Sequence, residues 1–126
     1  MEAGTAFHSL HAPSQQRIGG GKSVLEQGAL STSLDRLTGE LGLPSPTILK
    51  LDVDGHELKI VEGARALLNK GTIRSLLIEI NGELEGEDVS PVPKILAECG
   101  YELVSKGKGV RTGTGETSRN CIFRKK

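Results

Sequence analysis

Apolar positions along this chain fall into short runs and helical stripes that alternate from about residue 31 onward. Ser33 stands before Leu34, Leu37 and Leu41, so it predicts a capped helix that Gly42 and Pro44 then stop. Ile48, Leu49, Leu51 and Val53 form a short, nearly continuous apolar run, the signature of a strand buried on both faces. Leu58, Val61, Ala64, Leu67 and Leu68 then recur at the spacing of one buried helix face, with Gly71 placed as a C-cap. Ser75 to Ile80 reads as a second buried strand. Ser90 and Pro91 open another helix with Ile95, Leu96 and Cys99 on its inner face, and Gly100 ends it. Strands over Tyr101 to Ser105 and Asn120 to Arg124 flank a loop, Lys106 to Arg119, rich in Gly, Thr and Lys.

The order from residue 45 is therefore strand, helix, strand, helix, strand, loop, strand, an α/β pattern. Residues 1–30 differ. They are rich in Gly, Ser, Gln and Ala, and only Ala6, Phe7 and Leu10 suggest a short strand, so the expected division is an irregular segment 1–30 and an α/β body 31–126.

Chemistry concentrates where the first clear strand runs into its helix. Alternation puts Lys50 and Asp52 on one strand face, with Asp52 near the carboxyl end, where open α/β sheets place their ligands. Asp52 is the candidate for active-site chemistry, and the plainer reading is that it pairs with Lys50. Asp54 and Glu57 have the spacing of a capping box at the helix start, which alone accounts for both. Gly55 allows close backbone approach in the first turn. His56 is a candidate general base, because imidazole titrates near neutrality, or simply a solvated histidine. Glu79 and Asn81 close the next strand and approach the same crevice as candidate substrate-binding residues. A glutamate in an apolar run needs a donor or cation, so a structural role is equally open. Gly82 to Asp88, with four acids among seven residues, reads as a rim loop over the crevice.

Lys50, Asp52, Gly55, Glu57, Gly63 and Ala64 resemble the Lys-x-Asp-Val-Glu-Gly-x-Glu run, continuing into Gly-Ala, of the FkbM family of S-adenosyl-L-methionine (SAM)-dependent methyltransferases. Asp54 stands where that family more often has Glu. The resemblance is densest over 47–83, extends from about Thr32 to the C-terminus, and more loosely includes Ala6 to His11. It implies the C-terminal half of a partial Rossmann-like class I methyltransferase fold, with parallel strands followed by a C-terminal antiparallel hairpin. It also implies SAM as cofactor and methyl transfer to a hydroxyl oxygen of a small-molecule, sugar or lipid acceptor. In such a fold a glycine turn after the first strand and an acid after the second hold SAM. No Gly-x-Gly follows an apolar strand upstream of the matched run, so the expected alternative is a non-catalytic half-domain that acts as an interaction module or completes a partner. The strand at 48–53 would then be an open edge, covered by a homodimer or by a partner supplying the rest of the sheet, unless residues 1–30 fold over it.

Composition narrows this further. Sixteen basic residues balance sixteen acidic ones, so no overall field favours nucleic acid, and three aromatic residues without tryptophan leave little for base stacking. No apolar run approaches the roughly 20 residues of a membrane span, and the expected location is cytoplasmic. Cys99 and Cys121 lack Cys-x-x-Cys partners and read as reduced packing residues. Other motifs fail on detail. Gly21-Lys22-Ser23 ends like a phosphate-binding loop but has Gln16 where the first glycine belongs. Asp52-Val53-Asp54-Gly55 resembles the start of an EF-hand calcium loop but puts Gly63 at the place of the closing glutamate. His8 and His11 lack a third ligand at metal-binding spacing. No metal is expected.

Overall fold

The structure is a computed structural model that describes residues 30–53, 55–84, 87–88, 90–111 and 117–126. The expected strand near Phe7, the Gly21-Lys22-Ser23 loop, the His8 and His11 pair and Asp54 lie outside these residues. The chain divides after Ser31, and the unit Thr32–Lys126 is a mixed α/β body.

Its elements in order are α1 (Leu34–Gly39), β1 (Ile48–Leu51), α2 (Glu57–Glu62), α3 (Arg65–Lys70), β2 (Ser75–Leu84), β3 (Glu87–Asp88), α4 (Val92–Glu98), β4 (Tyr101–Lys106), β5 (Val110–Arg111) and β6 (Thr117–Lys125). The sheet order is β1-β2-β6-β4, with β3 added to β2 and β5 to β6. β1 and β2 are parallel, joined through α2 and α3, whereas β6 lies antiparallel between β2 and β4. The expected antiparallel pair of final strands is thus present, and its last strand is inserted into the sheet.

Alternation on β2 decides where the core sits. Leu76, Ile78 and Ile80 are buried, while Ser75, Leu77, Glu79 and Asn81 are half-buried. The first set meets Val61, Ala64, Leu67 and Leu68 of the α2–α3 segment, Val92 and Leu96 of α4, and Phe123 of β6 in one apolar cluster. Tyr101 enters the same cluster with its hydroxyl donating to the carbonyl of Ile73 at 2.8 Å, so its polar tip is satisfied where it is buried. Burial, and secondarily the charge of Cys99, raises its pKa above the usual phenol value. Cys99 and Cys121 are free thiols packed in this core.

Three expectations change here. β1 is not buried on both faces: only Leu51 is, and Ile48 is 72% exposed. The physical reason is position, since β1 ends the strand order and pairs with β2 alone among the described residues. The single long helix is two, broken at Gly63 and Ala64. Asp35 in α1 causes this by donating its amide to the Gly63 carbonyl at 3.0 Å and accepting from the amides of Ala66 and Leu67 at 2.9 and 2.7 Å. A remote carboxylate therefore starts α3, and Gly63 lets α1 close in, because a Cβ there would stand 3.1 Å from that of Ser33. Finally, the loop after β4 contains β5, and β6 starts at Thr117 rather than Asn120.

The expected rim loop from Gly82 to Asp88 is instead the end of β2 with β3 paired back on it, so the strand that was expected to stop at Ile80 runs on to Leu84, while the cap signals hold with small shifts. The Ser33 side chain accepts from the Arg36 amide and caps α1, although Leu41 falls outside the helix and is exposed. Gly71 caps α3 with φ +73°, a conformation open to glycine. Pro91 is the N-cap of α4 rather than part of its first turn, and Ser90 accepts from the Val92 amide.

Candidate active site

The parallel strands β1 and β2 run in register, with Lys50 beside Leu77 and Leu51 beside Ile78. Lys50 therefore shares a face with Leu77 and Glu79, opposite the helices and core. Asp52 follows one residue beyond β1, at its carboxyl end. Its Oδ2 lies 2.8 Å from Lys50 Nζ, so the two side chains form an ion pair across the strand end, each about half exposed. The hydrogen bond and charge of Asp52, with a smaller contribution from Glu79, raise the Lys50 pKa above its ordinary 10.5. Because the folded value is raised, the contribution of the Lys50 ammonium is present below 10.5 and fades as pH climbs past the folded value. The ammonium is thus fixed throughout the neutral range.

Glu79 has its own donor. Ser118 of β6 is buried and donates its hydroxyl to Glu79 Oε1 at 2.6 Å, and the backbone of Ser118 is in register with Asn81. This answers the cost of a carboxylate in an apolar strand. It also brings four polar residues from three strands, Asp52, Lys50, Glu79 and Ser118, to one face at the carboxyl end of the parallel pair. Asn81 lies two residues beyond Glu79 on that face, half-buried.

The turn after Asp52 is organised differently from the expected capping box. The N-cap of α2 is His56, whose side chain makes no capping bond, and Asp54 lies outside the described residues. Glu57 is buried and accepts from the Gly55 amide at 3.2 Å, so the reaching-back half of the box is kept but closes over a shorter loop. Gly55 has φ +95°, and an added Cβ would meet nothing, so glycine serves the turn through its backbone conformation rather than close approach. His56 is half-buried at this turn, four residues past Asp52. Asp52 is paired with Lys50 and Glu79 with Ser118, Glu79 acting on Lys50 through its charge alone, and no bond links His56 to either carboxylate.

Sequence reasoning missed Ser118 and undervalued Lys50. Lys50 was visible two residues before Asp52 as a pairing partner. Ser118 is 39 residues from Glu79 and lay in a presumed loop, so no local signal marked it. Among the described residues, no group of three His, Cys, Asp or Glu side chains could hold a metal ion, and no helix is long and apolar enough to cross a membrane.

A mixed sheet of parallel and antiparallel strands with helices between them makes this an α/β protein, and its polar cluster lies at the carboxyl ends of the parallel strands. The chain matches the Methyltransferase FkbM domain over residues 4–103, and it belongs to that methyltransferase family. The match begins well before Thr32 and stops inside β4, so it includes more of the N-terminal segment and less of the final strands than the motif-bearing run suggests. The chain is also 29% identical over 90 residues to hexuronic acid methyltransferase AglP of Haloferax volcanii, an alignment that covers 69% of this chain and 36% of that protein. It thus spans little more than a third of this relative's length. No solved structure matches it.

Proposed function

We propose that this chain is a SAM-dependent methyltransferase acting on a hydroxyl oxygen of a small-molecule, sugar or lipid acceptor. The observation that carries the reading is Asp52, held by Lys50 at the carboxyl end of β1 beside the Glu79–Ser118 pair. Family membership and the methyltransferase relative, which is named for hexuronic acid, support it. The sheet order fits the C-terminal half of a Rossmann-like class I methyltransferase, with β1 and β2 as the parallel strands beside the crevice and β6 and β4 as the antiparallel pair.

The donor contributes an electrophilic methyl group. This chain supplies the acceptor side: Asp52 orients the acceptor hydroxyl and receives its proton, Lys50 holds the carboxylate in place, and Glu79 and Asn81 position the rest of the acceptor, a role that the sequence also offers to Asp54, outside the described residues. His56, at the adjoining turn, is a second candidate base. The described residues do not supply the glycine turn that would seat the methionine part of SAM, since β1 is the first strand among them. Those contacts come from elsewhere in the chain, from a second copy, or from a partner laid along β1. Two buried free thiols suit a reducing compartment, and we place the protein in the cytoplasm.

Asp52→Asn keeps the size of the side chain but removes its charge and basicity. Methyl transfer from labelled SAM by this variant is expected to fall about 100-fold in kcat/KM, within the range for loss of a general base, with circular dichroism unchanged. Full activity in the variant would remove Asp52 from the chemistry. The exposed Ile48 on the end strand favours a second reading, a non-catalytic half-domain that docks through β1; a well-folded chain with no methyl transfer in any assembly would support it.

A further inference from the structure

The sheet face opposite the helices is sorted by row. Strand register places Glu79 of β2 directly across from Asn120 of β6, and Leu77 across from Ile122. Lys50 stands beside Leu77 on the other side, so Asp52, two residues further on, extends the row of Glu79 and Asn120. That row is polar and the next is apolar: Leu77 and Ile122 are half-buried, whereas Asn120 is exposed. Opposite residues on neighbouring strands hold their Cβ atoms about 5 Å apart, so one ligand group can touch Glu79 and Asn120 together. Ser118 fixes Glu79 for this, because its hydroxyl donates to Oε1 at 2.6 Å and leaves the carboxylate's remaining lone pairs for other donors. Asn120 is steadied through its backbone, where its carbonyl accepts from the Gly107 amide at 2.8 Å. Its side chain carries both a hydrogen-bond acceptor and donors.

We infer that Glu79 and Asn120 form a hydroxyl-reading pair that selects a neutral polyol as the methyl acceptor and disfavours an acidic one; the inference deepens the methyl-transfer reading and rests on it for the word acceptor, but not for the polyol site. A carboxylate and an amide together take both the proton and the oxygen of a hydroxyl, while Leu77 and Ile122 lie under the C–H surface of the same molecule. Asp52 to Asn120 spans two strand spacings, about 10 Å, which leaves room for a sugar-sized ring whose methylated hydroxyl lies at Asp52. Charge sets the preference. Among the described strand residues at this end of the face, the carboxylates of Asp52 and Glu79 stand against one ammonium, and Lys50 already pairs with Asp52 at 2.8 Å. Lys106 is in register with Cys121, Arg119 with Ile80 and Arg111 with Thr117, all on the opposite face. Arg124 shares the face of Glu79 but is in register with Ser75, about 13 Å down the strand. A carboxylate on the acceptor would therefore approach net negative charge. Asn120 also lies beyond residues 4–103, the span matched to the family, so the pair draws on this chain's own last strand.

The test titrates the whole chain with D-glucose and D-glucuronate, which differ only in a carboxylate for a hydroxymethyl group, by NMR at neutral pH, with a parallel SAM titration. Glucose is expected to bind about tenfold more tightly than glucuronate, the effect of one like-charge approach. Asn120→Leu, at an exposed position that leaves circular dichroism unchanged, is expected to weaken glucose binding about tenfold, the range for a lost hydrogen bond. Glu79→Gln keeps an acceptor for Ser118 but drops the charge, and should bring the two sugars within about threefold of each other. Lys108→Gln, in the exposed turn between β4 and β5, should leave both affinities unchanged. Glucuronate binding as tightly as glucose, no glucose binding by folded chain, wild-type glucose affinity in Asn120→Leu, or an unchanged preference in Glu79→Gln would each overturn the inference. SAM binding without glucose preference would remove this inference and spare the methyltransferase reading, whereas glucose preference without SAM binding would do the reverse.

Discussion

Phe123→Ala is expected to lower the free energy of unfolding by about 3–5 kcal/mol, the range for truncating a buried aromatic side chain. Phe123 is 2% exposed and sits on β6, the strand that joins β2 to β4, with Leu76 on one side of it in the ladder and Leu103 on the other. Few other rings exist to refill the space, because the chain has only one other phenylalanine and one tyrosine. Neighbouring Leu and Ile side chains belong to fixed strands and relax only partly, so a cavity remains. Against a typical total stability of about 5–15 kcal/mol this loss is large enough to unfold a marginal domain. Urea denaturation followed by circular dichroism measures it. A loss under about 1 kcal/mol would mean that β6 does not pass through the core as described.

Asp35→Ala is expected to cost about 3 kcal/mol, since hydrogen bonds to charged groups contribute roughly 1.5–3 kcal/mol each and two are removed. Both Asp35 oxygens accept backbone amides at the start of α3, Ala66 and Leu67, from a helix more than 30 residues earlier. The negative charge also opposes the positive end of the α3 dipole. Asp35→Asn keeps one acceptor oxygen and should lose roughly half as much. Hydrogen exchange at the Ala66 and Leu67 amides should quicken in both variants. Unchanged exchange there would show that α3 starts without Asp35.

How far the sequence could be read depended on whether a feature was local. The α/β order after residue 45, the caps at Ser33 and Gly71 and the inner face of α4 are written in neighbouring residues, and they appear where periodicity and cap chemistry place them. The break at Gly63 could not be read that way, because an apolar stripe from Leu58 to Leu68 is equally compatible with one helix. Only Asp35, brought in through the tertiary fold, decides between one helix and two. The exposure of Ile48 escaped for a similar reason: an apolar run indicates a strand but does not say whether it will be central or at the end of the sheet. At the candidate site, Lys50 and Asp52 were legible because they are two residues apart on one strand. Ser118 was not, since its meaning comes from the antiparallel register of β6 on β2.

Titration of the purified 126-residue chain with SAM by isothermal calorimetry, after circular dichroism has established that it is folded, tests the methyltransferase account most directly. The account predicts saturable binding in the micromolar range, with the remaining cofactor contacts drawn from residues outside those described or from a second copy of the chain. A folded chain that shows no binding at any concentration up to its solubility limit would contradict it and leave this α/β body as a half-domain whose role lies with a partner.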